Sequence, residues 1–342
     1  MNEQNELFEY LKQTKFFDLS FTEKISIINA QTRKHIYRLL LHFDSYASMK
    51  REGINYSKSS NKINREEYES YINDYCRTQS SNGEIKELFK TDVELHMSES
   101  DLNKWIEDWS EAERRMIKCI VKDVRRTTDP LIKYESEHLN AFNRLMFIIC
   151  RVYSSVYYVQ SMPDLLIPIY KLYMEERNEN QQESFISDCE CITFRLGSYL
   201  YRMMIKYHLR IKGTKINSAI IYEKLFEISD KELFDYCKEN KIDCMYYVQE
   251  PFTSLYQRLF KYNQLLLLWD RIFCSDRFSY SILFMVTIVI YHRNEIMELK
   301  GEDISSFFKC IDHSEYLNLL KLTDELYMKY ESNGILQQVI KE

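Results

Sequence analysis

Glycine and proline are scarce: a chain of 342 residues contains six of the first and four of the second. Sheet architectures need many tight turns, and tight turns draw on these two residues. Valine is also sparse, at ten residues. The deficit predicts an all-α fold of long helices joined by polar loops. Long apolar runs are missing as well. The longest, Phe278 to Tyr291, is fourteen residues and includes Ser and Thr. That is short for a membrane span and reads as a buried core helix. The first ten residues, MNEQNELFEY, are acidic and polar, so no secretory signal is expected there. A net charge of −6 argues against general nucleic-acid binding. No polybasic tail is present to hold the chain on a membrane.

Phosphate-binding loops are absent too. There is no G-x-x-x-x-G-K-[ST] and no G-x-G-x-x-G, and the six glycines are too dispersed to cradle a phosphate. The chain is not expected to bind a nucleotide alone. It has no G-x-S-x-G elbow and no H-E-x-x-H helix. Nine cysteines, an odd number, fit reduced thiols in the cytosol. The close pair Cys189-x-Cys191 lacks zinc-site spacing, so no metal is expected.

What is abundant is aromatic: 27 Tyr and 19 Phe, suited to packing helices through rings. Hydrophobic spacing is helical nearly throughout. Leu139, Phe142, Met146, Ile149 and Tyr153 form one stripe, Met116, Ile120 and Val124 another, and Leu319, Leu322, Leu326 and Tyr330 a third. Polar stretches at 48–66, 77–83, 175–184 and 212–217 are expected to divide the helices. No repeat of solenoid period is present. The expectation is one helical domain with two lobes.

Two short segments stand out. Ile120-x-x-Asp123-x-x-Arg126 and Tyr158-x-Gln160 each precede a proline, Pro130 or Pro163, where a helix is expected to stop. Each offers one long polar side chain near a helix end. Asp123 and Arg126 lie three apart, on one helix face, where the carboxylate is placed to restrain the guanidinium. An exposed ion pair of no functional consequence has the same spacing. Residues 111–133 hold seven basic and four acidic groups, a net of +3 that suits an approaching phosphate. Ser161 and Asp164, three apart before an apolar run, resemble a capping box.

Together these segments resemble a known family. Ile120-Val-Lys-Asp-Val-Arg-Arg-Thr127 resembles the I-x-x-D-x-x-R-T motif of TBC-domain proteins, the Rab GTPase-activating family. Tyr158-Val-Gln-Ser-Met-Pro-Asp-Leu165 is similar to its Y-x-Q-G-M-x-D-L motif. Leu266-Leu-Leu-Trp-Asp-Arg-Ile-Phe273 is similar to its late L-R-x-W-D-x-x-F segment, and Arg33 and Tyr37 stand near the family's early Arg and Trp.

The resemblance implies a V-shaped, all-α TBC domain over residues 25–330, with an N-lobe at about 25–185 and a C-lobe at about 186–330. Residues 1–24 would be an N-terminal extension and 331–342 a tail. It implies two fingers. Arg126 would stabilise charge on the transferring phosphoryl group of a GTP-bound Rab, and Gln160 would orient the attacking water. Asp123, Ile120, Thr127 and Tyr158 would support them. Arg126 rather than Arg125 keeps the D-x-x-R register. The GTP and Mg2+ would belong to the partner, and the chain would carry no cofactor of its own. It would be an activator working in trans in vesicle transport, cytoplasmic and held at endomembranes through its Rab, without inserting into the membrane. Ser161 replaces the family's glycine after Gln160. If that position needs positive φ, a catalytically weak Rab-binding scaffold is the alternative.

Overall fold

The computed structural model describes residues 19–30, 32–40, 56–79, 85–87, 103, 109–127, 136–152, 158, 160, 162–174, 182–208, 217–309 and 315–341. They fall into two compact units. One comprises the described residues of Leu41–Tyr201; the other combines those of Met1–Leu40 and Arg202–Glu342. The described residues are all-α apart from one short antiparallel pair, β1 (Arg77–Gln79) with β2 (Ile85–Glu87), in which Thr78 faces Lys86.

The discontinuous unit begins with α1 (Phe21–Ile27) and α2 (Arg33–Leu40), and the first unit contains α3 (Tyr56–Cys76). The polar stretch at 48–66 is therefore not all loop, because α3 starts at Tyr56.

The first unit continues with α4 (Glu111–Arg125), α5 (Ser136–Val152), α6 (Met162–Met174) and most of α7 (Gln182–Tyr207). Helix α5 is its axis: every residue from His138 to Cys150 is buried. Helices α3, α4 and α6 pack against it. The expected stripe of Leu139, Phe142, Met146 and Ile149 lies in this core; Tyr153 is outside the described residues.

The core of this unit is keyed by a charge. Arg144 donates from Nε and Nη2 to the two oxygens of Glu190, at 2.8 and 2.7 Å, and the Tyr68 hydroxyl donates to the same carboxylate at 2.6 Å. All three residues are buried. Such a bidentate fork satisfies both charges where neither could be left alone. Cys189 and Cys191 flank Glu190 as buried thiols outside any disulfide, and Cys189 Sγ donates to the Tyr173 carbonyl at 3.2 Å. Gly197 brings α7 close to α6, since a Cβ there would lie 2.4 Å from Leu166 Cδ2.

The discontinuous unit resumes with α8 (Asn217–Ser229), α9 (Lys231–Glu239), α10 (Met245–Ser254), α11 (Tyr262–Cys274) and α12 (Ser279–Tyr291). It ends with α13 (Arg293–Glu298), α14 (Glu302–Lys309), α15 (Tyr316–Ser332) and α16 (Ile335–Lys341). Helix α12 is the apolar run singled out in the sequence, and it is buried from Ser279 to Val289 between α8 and α15. Helix α15 buries Tyr316, Leu320, Thr323, Tyr327 and Tyr330 along with Leu319. Of the expected stripe there, Leu322 instead faces outward and Leu326 is half-buried.

The Trp269-Asp270 pair ties the start of the chain to α11. Asp270 accepts from Arg33 Nε and Nη2, both at 2.7 Å, and from the Tyr37 hydroxyl at 2.9 Å. Trp269 Nε1 donates to the Leu255 carbonyl at 2.9 Å. Leu255 and Tyr256 follow α10 with φ of 44° and 65°. Two left-handed non-glycine residues in succession are costly, and the buried indole hydrogen bond holds the turn they make. Trp269 and Asp270 are thus both buried and held by named partners.

Candidate functional site

Helix α4 starts with a capping box. Ser110 Oγ accepts from the Glu113 amide at 3.3 Å, and the Glu113 carboxylate accepts from the Ser110 amide at 3.0 Å. That exchange satisfies donors that the first helical turn leaves orphaned. Glu113 also ion-pairs with Arg151 at the end of α5, and Trp109 stacks on Phe147 with centroids 5.2 Å apart. Ile117, Ile120, Val121 and Val124 form the buried face of α4. The helix end is consequently fixed in place before any polar group is considered.

Arg126 caps the C-terminus of α4, its amide donating to the Asp123 carbonyl at 3.0 Å. Thr127 is buried and its amide donates to the Val124 carbonyl at 3.2 Å. The Arg126 side chain is exposed and has no hydrogen bond or ion pair among the described residues. The contact anticipated between Asp123 and this guanidinium is not made. Asp123 Oδ2 instead accepts from the Tyr158 hydroxyl at 2.6 Å. Burial first, and the hydrogen bond to Asp123 second, hold the Tyr158 phenol far above its ordinary pKa, so it remains a donor.

That hydrogen bond fastens the second motif to the first. Gln160 follows Tyr158 by two residues, in an exposed turn before α6. A second anchor lies on its other side: the buried Tyr201 hydroxyl donates to the Met162 carbonyl at the first residue of α6. Gln160 is exposed between two fixed points, and its own side chain has no hydrogen bond among the described residues. Pro163 does not stop a helix. It is the second residue of α6, where its fixed φ and missing amide are tolerated. Asp164 lies in the first turn of that helix; Ser161 and Pro130 are outside the described residues.

Tyr201 is the contributor that local sequence does not reveal, because it reaches the site from 39 residues away. The surroundings of Arg126 are basic. Arg114, Arg115, Lys118, Lys122 and Arg125 are all exposed on α4. Among the described residues no group of three or more His, Cys, Asp or Glu could hold a metal ion, and no helix is long and apolar enough to cross a membrane. The arrangement offers a free guanidinium and a free carboxamide, both on braced backbone.

A family model described as Rab-GTPase-TBC domain matches residues 30–297. The chain is 26% identical over 213 residues to the TBC domain-containing protein C1952.17c of Schizosaccharomyces pombe, covering 55% of this chain and 33% of that protein. It thus spans about a third of the length of the curated relative it matches. Its fold is similar to the crystal structure of the Ypt/Rab-GAP domain of Gyp1p, with a TM-score of 0.69, 14% identity and coverage of 97% of this chain and 98% of that chain.

Proposed function

This chain belongs to the Rab-GTPase-TBC domain family, and we propose on that basis that it is a GTPase-activating protein for a Rab-family small GTPase. Arg126 and Gln160 are the two groups it lends. The arginine enters the partner's nucleotide site and neutralises charge developing on the transferring phosphoryl group. The glutamine orients the attacking water beside it. GTP and Mg2+ arrive with the partner. Asp123 and Tyr158 act as positioning residues, with Ile120 and Thr127 seating the helix end that carries the arginine.

The observation that supports this most is the 2.6 Å hydrogen bond from Tyr158 to Asp123. It joins the segment that carries Arg126 to the segment that carries Gln160, and both of those side chains are exposed and without a hydrogen bond among the described residues. Activity on a Rab places the chain in vesicle transport, on the cytoplasmic face of the membrane that its partner occupies. The test is single-turnover GTP hydrolysis across a panel of GTP-loaded Rab proteins. Acceleration of at least one, lost in Arg126→Ala, is the expected result; binding without acceleration would make the chain a scaffold instead.

A further inference from the structure

The basic residues of α4 occupy one arc of the helix. At about 100° per residue, Arg114, Arg125, Lys118, Lys122, Arg115 and Arg126 fall in that order within roughly 120°. The buried face of Ile117, Ile120, Val121 and Val124 lies wholly outside this arc, centred about 130° from its middle, and Asp123 is also outside it, turned to Tyr158. Two acidic side chains near the start of the helix are engaged: Glu111 with Arg115, and Glu113 with Arg151. Arg114, Lys118 and Lys122 are exposed and have no partner among the described residues. A helix in a chain of net charge −6 therefore presents an open cationic stripe that ends in the finger arginine.

Distance separates what the parts of this stripe can sense. With a rise of about 1.5 Å per residue, Lys122 lies roughly 6 Å along the axis from Arg126, Lys118 roughly 12 Å and Arg114 roughly 18 Å. The Debye length at physiological salt is about 8 Å. Lys122 is near enough to feel a triphosphate engaged by Arg126, whereas Lys118 and Arg114 are screened from it. Their charge needs another counterpart, and with the finger inserted the surface opposite them belongs to the protein that carries the nucleotide. A lipid surface laid on the same arc would cover Arg126 and block the finger.

We propose that the Arg114–Lys118–Lys122 stripe is a steering and docking surface for acidic side chains flanking the nucleotide site of the partner GTPase. This rests on the reading of Arg126 as the finger. The stripe raises the encounter rate and sets orientation, and it leaves the hydrolysis step alone. Lys122 contributes sensitivity to the nucleotide state; Arg114 and Lys118 contribute attraction that is the same for either nucleotide.

The experiment measures association of the chain with a Rab loaded with a non-hydrolysable GTP analogue or with GDP, from 20 to about 300 mM salt. Hydrolysis is followed in parallel. The triple variant Arg114→Gln/Lys118→Gln/Lys122→Gln is expected to associate about tenfold more slowly at low salt, with a flattened salt dependence. Its KM for the Rab is expected to rise while kcat is kept. Arg114→Gln/Lys118→Gln should slow both nucleotide forms equally, and Lys122→Gln the triphosphate form more. An unchanged on-rate in the triple variant, with the parent chain still accelerating hydrolysis, overturns the stripe and leaves the activator reading standing. Salt-steered binding lost in the triple variant, without acceleration by the parent chain, upholds the stripe and overturns the activator reading. Binding of the parent chain to anionic vesicles (phosphatidylserine in phosphatidylcholine), lost in the triple variant whose Rab on-rate is unchanged, assigns the stripe to lipid and overturns the proposal.

Discussion

The Tyr158 hydroxyl donates to Asp123 across 35 residues of sequence at 2.6 Å. The aspartate that spacing alone pairs with Arg126 is thereby committed to the segment carrying Gln160. The guanidinium is left without a competing partner among the described residues. A finger held by an internal carboxylate would have to break that pair on entering a partner. The finger proposed at Arg126 needs no such exchange.

Arg126→Ala should lower stimulated GTP hydrolysis by roughly 10³–10⁵-fold in single-turnover assays, because the charge it supplies is needed only in the transition state. Gln160→Ala should also lose most of the stimulation. Both side chains are exposed, so the thermal midpoint should stay within about 1 °C of the parent value. Full activity in Arg126→Ala would reject the assignment.

Tyr158→Phe removes one oxygen and keeps the ring. The expected result is a chain that folds and binds its Rab but accelerates hydrolysis roughly 10²-fold less, since small misplacements of a catalytic group have effects of that size. Asp123→Asn, which keeps an acceptor oxygen, should be milder. If Tyr158→Phe behaves like the parent chain in rapid-quench hydrolysis, the bracing role is wrong.

Asp270→Asn should be the more damaging change to the fold, because it leaves the buried Arg33 guanidinium without its counter-charge. The cost expected for such a broken buried pair is about 3–5 kcal/mol, read as a fall in the urea midpoint. Replacing both partners with apolar residues, Arg33→Met with Asp270→Leu, should cost less than Asp270→Asn alone. Equal losses would indicate that the ion pair itself, rather than the stranded charge, sets the stability.

Burial pushes the His208 imidazole down to about 3, from an ordinary value of 6.5. The folded state therefore holds this ring neutral, while the unfolded chain takes up a proton below pH 6.5. Stability from this group is complete above that pH and falls by about 1.4 kcal/mol per pH unit as acid approaches the folded value. Urea titrations of the parent chain and His208→Phe should diverge in slope between pH 6 and 4, with the variant less acid-sensitive. Parallel slopes would show that the ring is hydrated in solution.

The expected stripe of α5 is buried, but so is every other residue from His138 to Cys150, because the helix is enclosed on all sides and periodicity alone does not report that. In α15 the same reasoning chose a wrong edge. Leu319 and Tyr330 of the expected stripe are buried, but Leu322 is exposed and Leu326 half-buried, and Tyr316, Leu320, Thr323 and Tyr327 complete the buried face. Pro163 was read as a stop although the first turn of a helix accepts proline equally well, and only the described start of α6 decides between them. The Arg144–Glu190–Tyr68 cluster left no trace in sequence. Its members are separated by 46 and 122 residues and look like ordinary surface-type residues on three helices. The motifs around Arg126 and Gln160 were visible because family patterns act locally, whereas Tyr201, which steadies the start of α6, belongs to no pattern in its own neighbourhood.

Arg33 and Asp270 are 237 residues apart, and that separation has a consequence for the order in which the protein can be made. At about 5–20 residues per second, a ribosome delivers the aspartate roughly 10–50 s after the arginine. Throughout that interval the opening helices lack the partner that completes their interior, while everything from Leu41 to Tyr201 has already emerged. The middle of the chain can thus mature first, with the beginning waiting on the end. Such a nascent chain leaves the segment around Arg33 incomplete throughout that interval, and there a chaperone has time to act.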